Sequence, residues 1–133
     1  MSPIQRTASL HELIPLIFVE DIDSSVAFYR DKLGFGMAEK WERDGKLAWC
    51  RLQRGGSAVM LEQACDEDGP TESRGRGVGF FFLCDDADVM HAELCAIGLR
   101  IAPPKIAFYG MKQLFLKDPD GYELCFQNPT ERA

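Results

Sequence analysis

The chain has 133 residues, 46% of them hydrophobic and 27% charged, which bounds it to one globular domain with a buried core. Its net charge of −6 excludes a nucleic-acid surface, which needs clustered Lys and Arg, and favours a cationic ligand over an anionic one. Five cysteines (Cys50, Cys65, Cys84, Cys95 and Cys125) form no CxxC pair and leave an odd one over, the pattern of reduced cytosolic thiols used as small apolar residues.

Residues 1–10 are a polar lead-in, and Glu12 to Glu20 reads as the first strand. The apolar run Leu13–Val19 is followed by Glu20, Asp21 and Asp23 rather than by a small-residue cleavage site, and it falls far short of the roughly 20 residues a membrane helix needs. The expectation is a soluble intracellular protein with no membrane contact. Asp23 or Ser24 is placed to cap a helix, and Val26, Tyr29 and Leu33 form one apolar stripe that Gly34 ends. Asp44-Gly45 then predicts a hairpin between Met37–Arg43 and Lys46–Leu52, and Gly55-Gly56 turns the chain into Ser57–Gln63.

Residues 64–76 are polar, rich in turn formers, and read as a mobile linker. Gly77 to Cys84, with the run Phe80-Phe81-Phe82, begins a second set of elements. Its helix, Ala87 to Ile97, presents Met90, Leu94 and Ile97 on one side. Pro103-Pro104 interrupts the chain before Lys105–Tyr109, and the turn Asp118-Pro119-Asp120-Gly121 joins strands Met111–Lys117 and Tyr122–Gln127.

The two halves echo each other. Phe18–Gly34 recurs in outline as Phe82–Gly98, and aligning Asp21 with Asp86 gives an offset of 86 − 21 = 65, near half of 133. Two copies of one β-α-β-β-β unit predict an α+β, pseudo-symmetric fold in a single domain: module one over about 12–63, a linker over 64–76, and module two over about 77–128. Such folds often place a pocket where the copies meet.

Val19-x-Asp21 followed by Ser25-x-Ala27-Phe28-Tyr29 and Leu33-Gly34-Phe35, with Asp118-Pro119-Asp120-Gly121-Tyr122 near the C-terminus, resembles the vicinal oxygen chelate superfamily, and within it the bleomycin-resistance branch most closely. That superfamily includes glyoxalase I, bleomycin and fosfomycin resistance proteins and extradiol dioxygenases. The resemblance covers about residues 12–128. It implies two βαβββ modules whose curved sheets enclose a cavity, commonly in a homodimer.

The resemblance also implies four metal-ligand positions for the metalloenzyme members, which fall here on Ile14, Glu62, Gly79 and Cys125. Only Glu62 matches in type. A catalytic divalent site wants three or four convergent imidazole or carboxylate ligands. The two histidines stand elsewhere: His11 three residues before Ile14, and His91 on the second helix, where solvent exposure is expected. No metal and no cofactor are expected.

Glu62 is either an ordinary strand-end carboxylate or a cavity-facing one that holds a cation or acts as a base. Cys125 is either packing or a soft ligand beside it. Trp41, Trp49, Phe81, Phe108, Tyr109 and Tyr122 are the aromatics able to stack on a planar ligand, with the core as their alternative place. The spacing Gly75-x-Gly77-x-Gly79 precedes a strand and is no phosphate loop, and the histidines allow no Ser-His-Asp or Cys-His constellation.

The favoured function is a metal-free small-molecule binding protein of the bleomycin-resistance type, sequestering a planar or cationic ligand at Glu62, Trp49, Phe81, Phe108, Tyr109 and Cys125. The alternatives are a metal-dependent glyoxalase-like lyase or isomerase, or a dioxygenase, with Glu62 as base or ligand, and an interaction module whose cavity is filled.

Overall fold

A computed structural model describes residues 4–130 of the chain. In order these form β1 (Leu16–Val19), α1 (Ile22–Ala27), β2 (Gly36–Arg43), β3 (Lys46–Arg54) and β4 (Ser57–Gln63). After the connection come β5 (Gly79–Leu83), α2 (Ala87–Ala96), β6 (Lys105–Ile106), β7 (Met111–Lys117) and β8 (Glu123–Pro129). Two four-stranded mixed sheets result, ordered β1-β4-β3-β2 and β5-β8-β7-β6, and neither closes into a barrel. In each, the first strand runs parallel to the last. Leu16 pairs with Met60 and Phe81 with Cys125, so the offset of 81 − 16 = 125 − 60 = 65 is a structural repeat.

Local chemistry moves several boundaries. β1 starts at Leu16 rather than Glu12: Pro15 carries no N–H for the ladder, although its carbonyl still accepts the Met60 N–H at 2.8 Å. Asp21, not Asp23 or Ser24, caps α1, because it has the extended backbone of a cap and its carboxylate accepts the Asp23 and Ser24 N–H groups at 3.1 and 3.3 Å. Asp86 caps α2 in the same way. α1 widens into a π-helical turn over Phe28–Lys32, which keeps Tyr29 and Leu33 buried beside Val26.

Met90 and Leu94 are buried as expected, but Ile97 is 44% exposed because α2 ends at Ala96 and Ile97 is only its terminal cap. The Asp44-Gly45 hairpin forms with φ of 53° and 77°, the left-handed pair that its strands' twist requires. β6 stops at Ile106, and Phe108 and Tyr109 instead sit in a turn closed by the Gly110 N–H on the Ala107 carbonyl. β8 is shifted along the chain because Tyr122 belongs to the preceding turn. Residues 64–76 hold two 3-10 turns, Asp66–Asp68 and Thr71–Ser73. Arg74 fastens the segment through Glu20 at 2.9 Å and Asp120 at 3.3 Å.

The helices and the inner faces of both sheets share one core, with Phe35 of the first module edge-on to Phe82 of the second at 5.9 Å. A buried polar link joins the modules through that core. The Tyr29 hydroxyl donates to Asp118 Oδ2 at 2.8 Å, while Asp118 Oδ1 accepts the Asp120 and Tyr122 N–H groups. The Tyr122 hydroxyl crosses back to the Phe18 carbonyl at 2.8 Å. Its ring lies against Gly75, where a Cβ would come within 2.7 Å of it and where φ is +74°, so no other residue fits that position. Burial pushes the Asp118 carboxyl above the ordinary aspartate range, against the opposing pull of the Tyr29 hydrogen bond.

Tyr29→Phe leaves ionised Asp118 short of a donor and costs about 1–3 kcal/mol at neutral pH. A protonated Asp118 needs no such donor, so the deficit is full above the folded-state pKa of Asp118 and narrows as pH falls through it. Thermal denaturation of both proteins at neutral pH and near pH 4 measures this.

Candidate functional site

Strand alternation decides which side chains leave the core. On β1, Ile17 and Val19 point inward, while Leu16 and Phe18 lie on the outer face. The register then aligns a row across the whole first sheet: Phe18 pairs with Glu62, Glu62 with Trp49, and Trp49 with Trp41. Directly paired side chains of adjacent strands stand about 5 Å apart at Cβ, so Glu62 has Trp49 and Phe18 as its immediate neighbours across the sheet. Glu62 and Trp49 are half-buried, and among the described residues no hydrogen bond or ion pair engages that carboxylate. Trp41 is 51% exposed, with the Arg43 guanidinium 4.9 Å from its ring centre. Arg51, two residues from Trp49 on the same face, pairs with Glu12 at 3.1 Å, and its buried Nε has no hydrogen-bond partner among the described residues.

The outer face of the second sheet is different in kind. Phe81 and Phe115 flank Cys125 across three strands, and their rings meet edge-on at 6.1 Å. Cys125 has no exposed surface, and burial pushes its thiol up to about 11. It is closed to solvent and stands on a different sheet from Glu62. Farther along the face Gln113 donates to the Tyr109 hydroxyl at 2.6 Å and to Gln127 at 2.9 Å. Phe108, 94% exposed, stands edge-on to Tyr109 at 5.0 Å.

The residues singled out from the sequence therefore fall into three pairs: Trp49 with Glu62, Phe81 with Cys125, and Phe108 with Tyr109. One copy of the chain separates Trp49 and Glu62 from the other four, because the two outer faces belong to different sheets. Trp41 joins the first pair. Tyr122 does not line a surface, since it is the buried clamp between the modules. Phe18, which the sequence motifs do not single out, belongs to the Glu62 row as well. Counting alternate residues outward from Ile17 and Val19 would have found it, but only with the β1–β4 register known.

The metal positions of the metalloenzyme pattern do not converge either. Ile14 precedes β1, so Phe18 and not Ile14 stands opposite Glu62; Gly79 has no side chain; and Cys125 lies on the other sheet. His91 is half-buried rather than exposed, against the Ile101 carbonyl at 3.2 Å and Cys95 Sγ at 3.4 Å. Among the described residues no three His, Cys, Asp or Glu side chains are grouped to hold an ion. This donor set does not fit the divalent site of that pattern. A cavity of about 540 Å³ opens elsewhere, between the β3–β4 turn and the start of α2, and none of the six candidate residues lines it.

The family model described as Glyoxalase/Bleomycin resistance protein/Dioxygenase superfamily matches residues 9–126. Comparison with curated proteins gives no significant match. Among solved structures the chain is similar to TnmS3, an antibiotic binding protein from Streptomyces sp. CB03234. That likeness has 22% identity and a TM-score of 0.75, and it covers 94% of this chain and 100% of that one. The bleomycin-binding protein of Streptomyces verticillus, complexed with copper(II)-bleomycin, is similar at 16% identity and a TM-score of 0.68, covering 95% and 100%. Lactoylglutathione lyase from Agrobacterium tumefaciens follows at 19% and 0.67, covering 91% and 95%. At these identities the likenesses establish the fold. Among the described residues no helix is long and apolar enough to cross a membrane.

The thiols give a direct check on this geometry. A thiol reagent added to folded protein is expected to label Cys65 and Cys95, both exposed, at once. Cys50 and Cys125, both fully buried, are expected to react only after denaturation; mass spectrometry of the labelled peptides reads the order.

Proposed function

The chain belongs to the glyoxalase/bleomycin resistance protein/dioxygenase superfamily, and on that premise we propose that it sequesters a planar cationic small molecule, without a metal, on the outer face of its first sheet. The observation that carries this reading is Glu62: a half-buried carboxylate whose strand neighbours are aromatic and which has no hydrogen-bond or ion-pair partner among the described residues. A carboxylate in such surroundings is stabilised by a cation, and the flat Trp49 and Phe18 rings suit a planar one. Two neighbours in fold named for binding an antibiotic and bleomycin support the ligand class.

A homodimer completes the crevice in this reading. The outer faces expose large apolar side chains on both sheets: Leu16 at 45% and Trp41 at 51% on the first, Phe81 at 50% and Leu83 at 72% on the second. Patches of this kind mark interaction surfaces. In this reading a two-fold axis pairs the second sheet of one copy with the first sheet of the other, so that Phe81, Phe108 and Tyr109 of one copy face Trp49 and Glu62 of its partner. The five unpaired thiols fit the cytosol as its compartment.

Titrating chelator-stripped protein with proflavine, a planar cation, is expected to quench tryptophan emission to saturation. Glu62→Gln should weaken binding by about 1–3 kcal/mol, and equal affinity in the two proteins removes Glu62 from the site. Sedimentation equilibrium is expected to give twice the 14.9 kDa chain mass, with Leu83→Asp shifting it towards the monomer. A single-chain mass across the concentration range rules out the shared crevice.

A further inference from the structure

The modules meet at two turn-to-helix junctions that the internal repeat makes equivalent. At the first, the β7–β8 turn packs on α1 and is filled by side chains. Asp118 takes the Tyr29 hydroxyl, Asp120 accepts the Glu20 N–H at 2.8 Å and the Ser25 hydroxyl at 3.3 Å, and Tyr122 reaches the Phe18 carbonyl.

At the second, the β3–β4 turn faces α2. Its Arg54, in the place of Asp118, donates to Glu93 at 3.3 Å and to the Leu33 carbonyl at 2.9 Å. The rest of the turn is Gly55-Gly56, shorter than Pro119-Asp120-Gly121, and Ser57 stands where the other junction has Tyr122 (122 − 57 = 65). Met90 takes the place of Ser25 and Asp85 that of Glu20, again at an offset of 65 (90 − 25 and 85 − 20). The side chains that fill one junction are thus missing from the other, and the cavity of about 540 Å³ stands there.

Its walls state what it would take. Phe35, Phe82 and Phe126 line it, the last two stacked at 5.0 Å and 16°. Asp85 and Glu93 line it as well. Asp85 has no hydrogen bond or ion pair to its carboxylate among the described residues, and Glu93 shares Arg54, which is already engaged. Asp86 is spent on capping α2. The carboxylates outnumber the single guanidinium, so an anion is disfavoured, and the volume lies within the roughly 300–1,000 Å³ of small-molecule pockets.

We propose that this junction is a second small-molecule site, distinct from the sheet face, for an arylalkylammonium ion. The aromatic ring takes the room that Tyr122 takes at the equivalent junction, against Phe82 and Phe126, and the ammonium meets Asp85 and Glu93.

Calorimetric titration of the full chain with 2-phenylethylamine tests the proposal. Saturable binding is expected, with none for 3-phenylpropionate, which carries the opposite charge. Ser57→Tyr, which copies the Tyr122 of the equivalent junction, is expected to abolish binding while the melting temperature holds or rises. Asp85→Asn, at an exposed position that the fold does not depend on, should weaken binding about threefold to tenfold. Glu62→Gln should leave it unchanged, which separates this site from the one on the sheet face. Absence of saturable binding, full binding by a folded Ser57→Tyr protein, unaltered affinity in Asp85→Asn, or loss of binding in Glu62→Gln would each overturn the proposal.

Discussion

The buried hydrogen bond from Tyr29 to Asp118 is the constraint on which the arrangement of the two modules rests. Asp118 is 5% exposed, and its two oxygens are used by donors from both halves of the chain: the Tyr29 hydroxyl from one, the Asp120 and Tyr122 N–H groups from the other. A buried carboxylate is tolerated only when so satisfied. Burial in turn drives the Tyr29 hydroxyl far above its ordinary pKa, with the neighbouring Asp118 charge adding to the effect, so it remains a donor throughout the working range of pH. This link, with Asp120 and Tyr122 beside it, docks the turn of the second module onto the helix of the first.

That docking turns the helix-bearing faces of both sheets towards each other and commits them to one core. The other faces are left outward. Any ligand chemistry on the sheets therefore depends on residues at alternate positions to the core, and the two outer faces divide the work differently. The first presents a carboxylate in an aromatic row, with charged Arg43 and Arg51 nearby. The second packs two phenylalanines over a thiol whose burial holds it protonated. The asymmetry makes Glu62 the chemically distinctive group and Cys125 a packing residue.

Repetition explains the fold, and departures from repetition mark the candidate sites. Both helices are capped by an aspartate at the same point of the repeat, and both parallel strand pairs share one register. The turns do not repeat: one carries carboxylates and a tyrosine that close the junction, the other two glycines and a serine that leave it open. One repeated plan with two different turns thus gives a structural clamp at one end and a cavity at the other.

Much of the architecture was legible along the chain, because it is written in short-range terms. The Asp44-Gly45 hairpin, the apolar stripes and the offset of the two halves all act within a few residues or recur at one spacing, and the family resemblance rests on motifs of the same kind; the cap of α1 falls on Asp21, two residues before the expected Asp23. The place of Glu62 on the last strand of the first module could likewise be read, with its role left open between a strand-end carboxylate and a ligand-holding one. The exact neighbours could not. Phe18 meets Glu62, and Tyr122 closes a clamp instead of lining a crevice, because of a parallel pairing and a docking between residues 44 and 104 positions apart. Strand register and module docking are set by the summed burial of side chains distant in sequence, and no local pattern records that sum. The chain by itself determined the modules and the chemistry available to them; only the tertiary structure decided which residues share a face and which junction stays open.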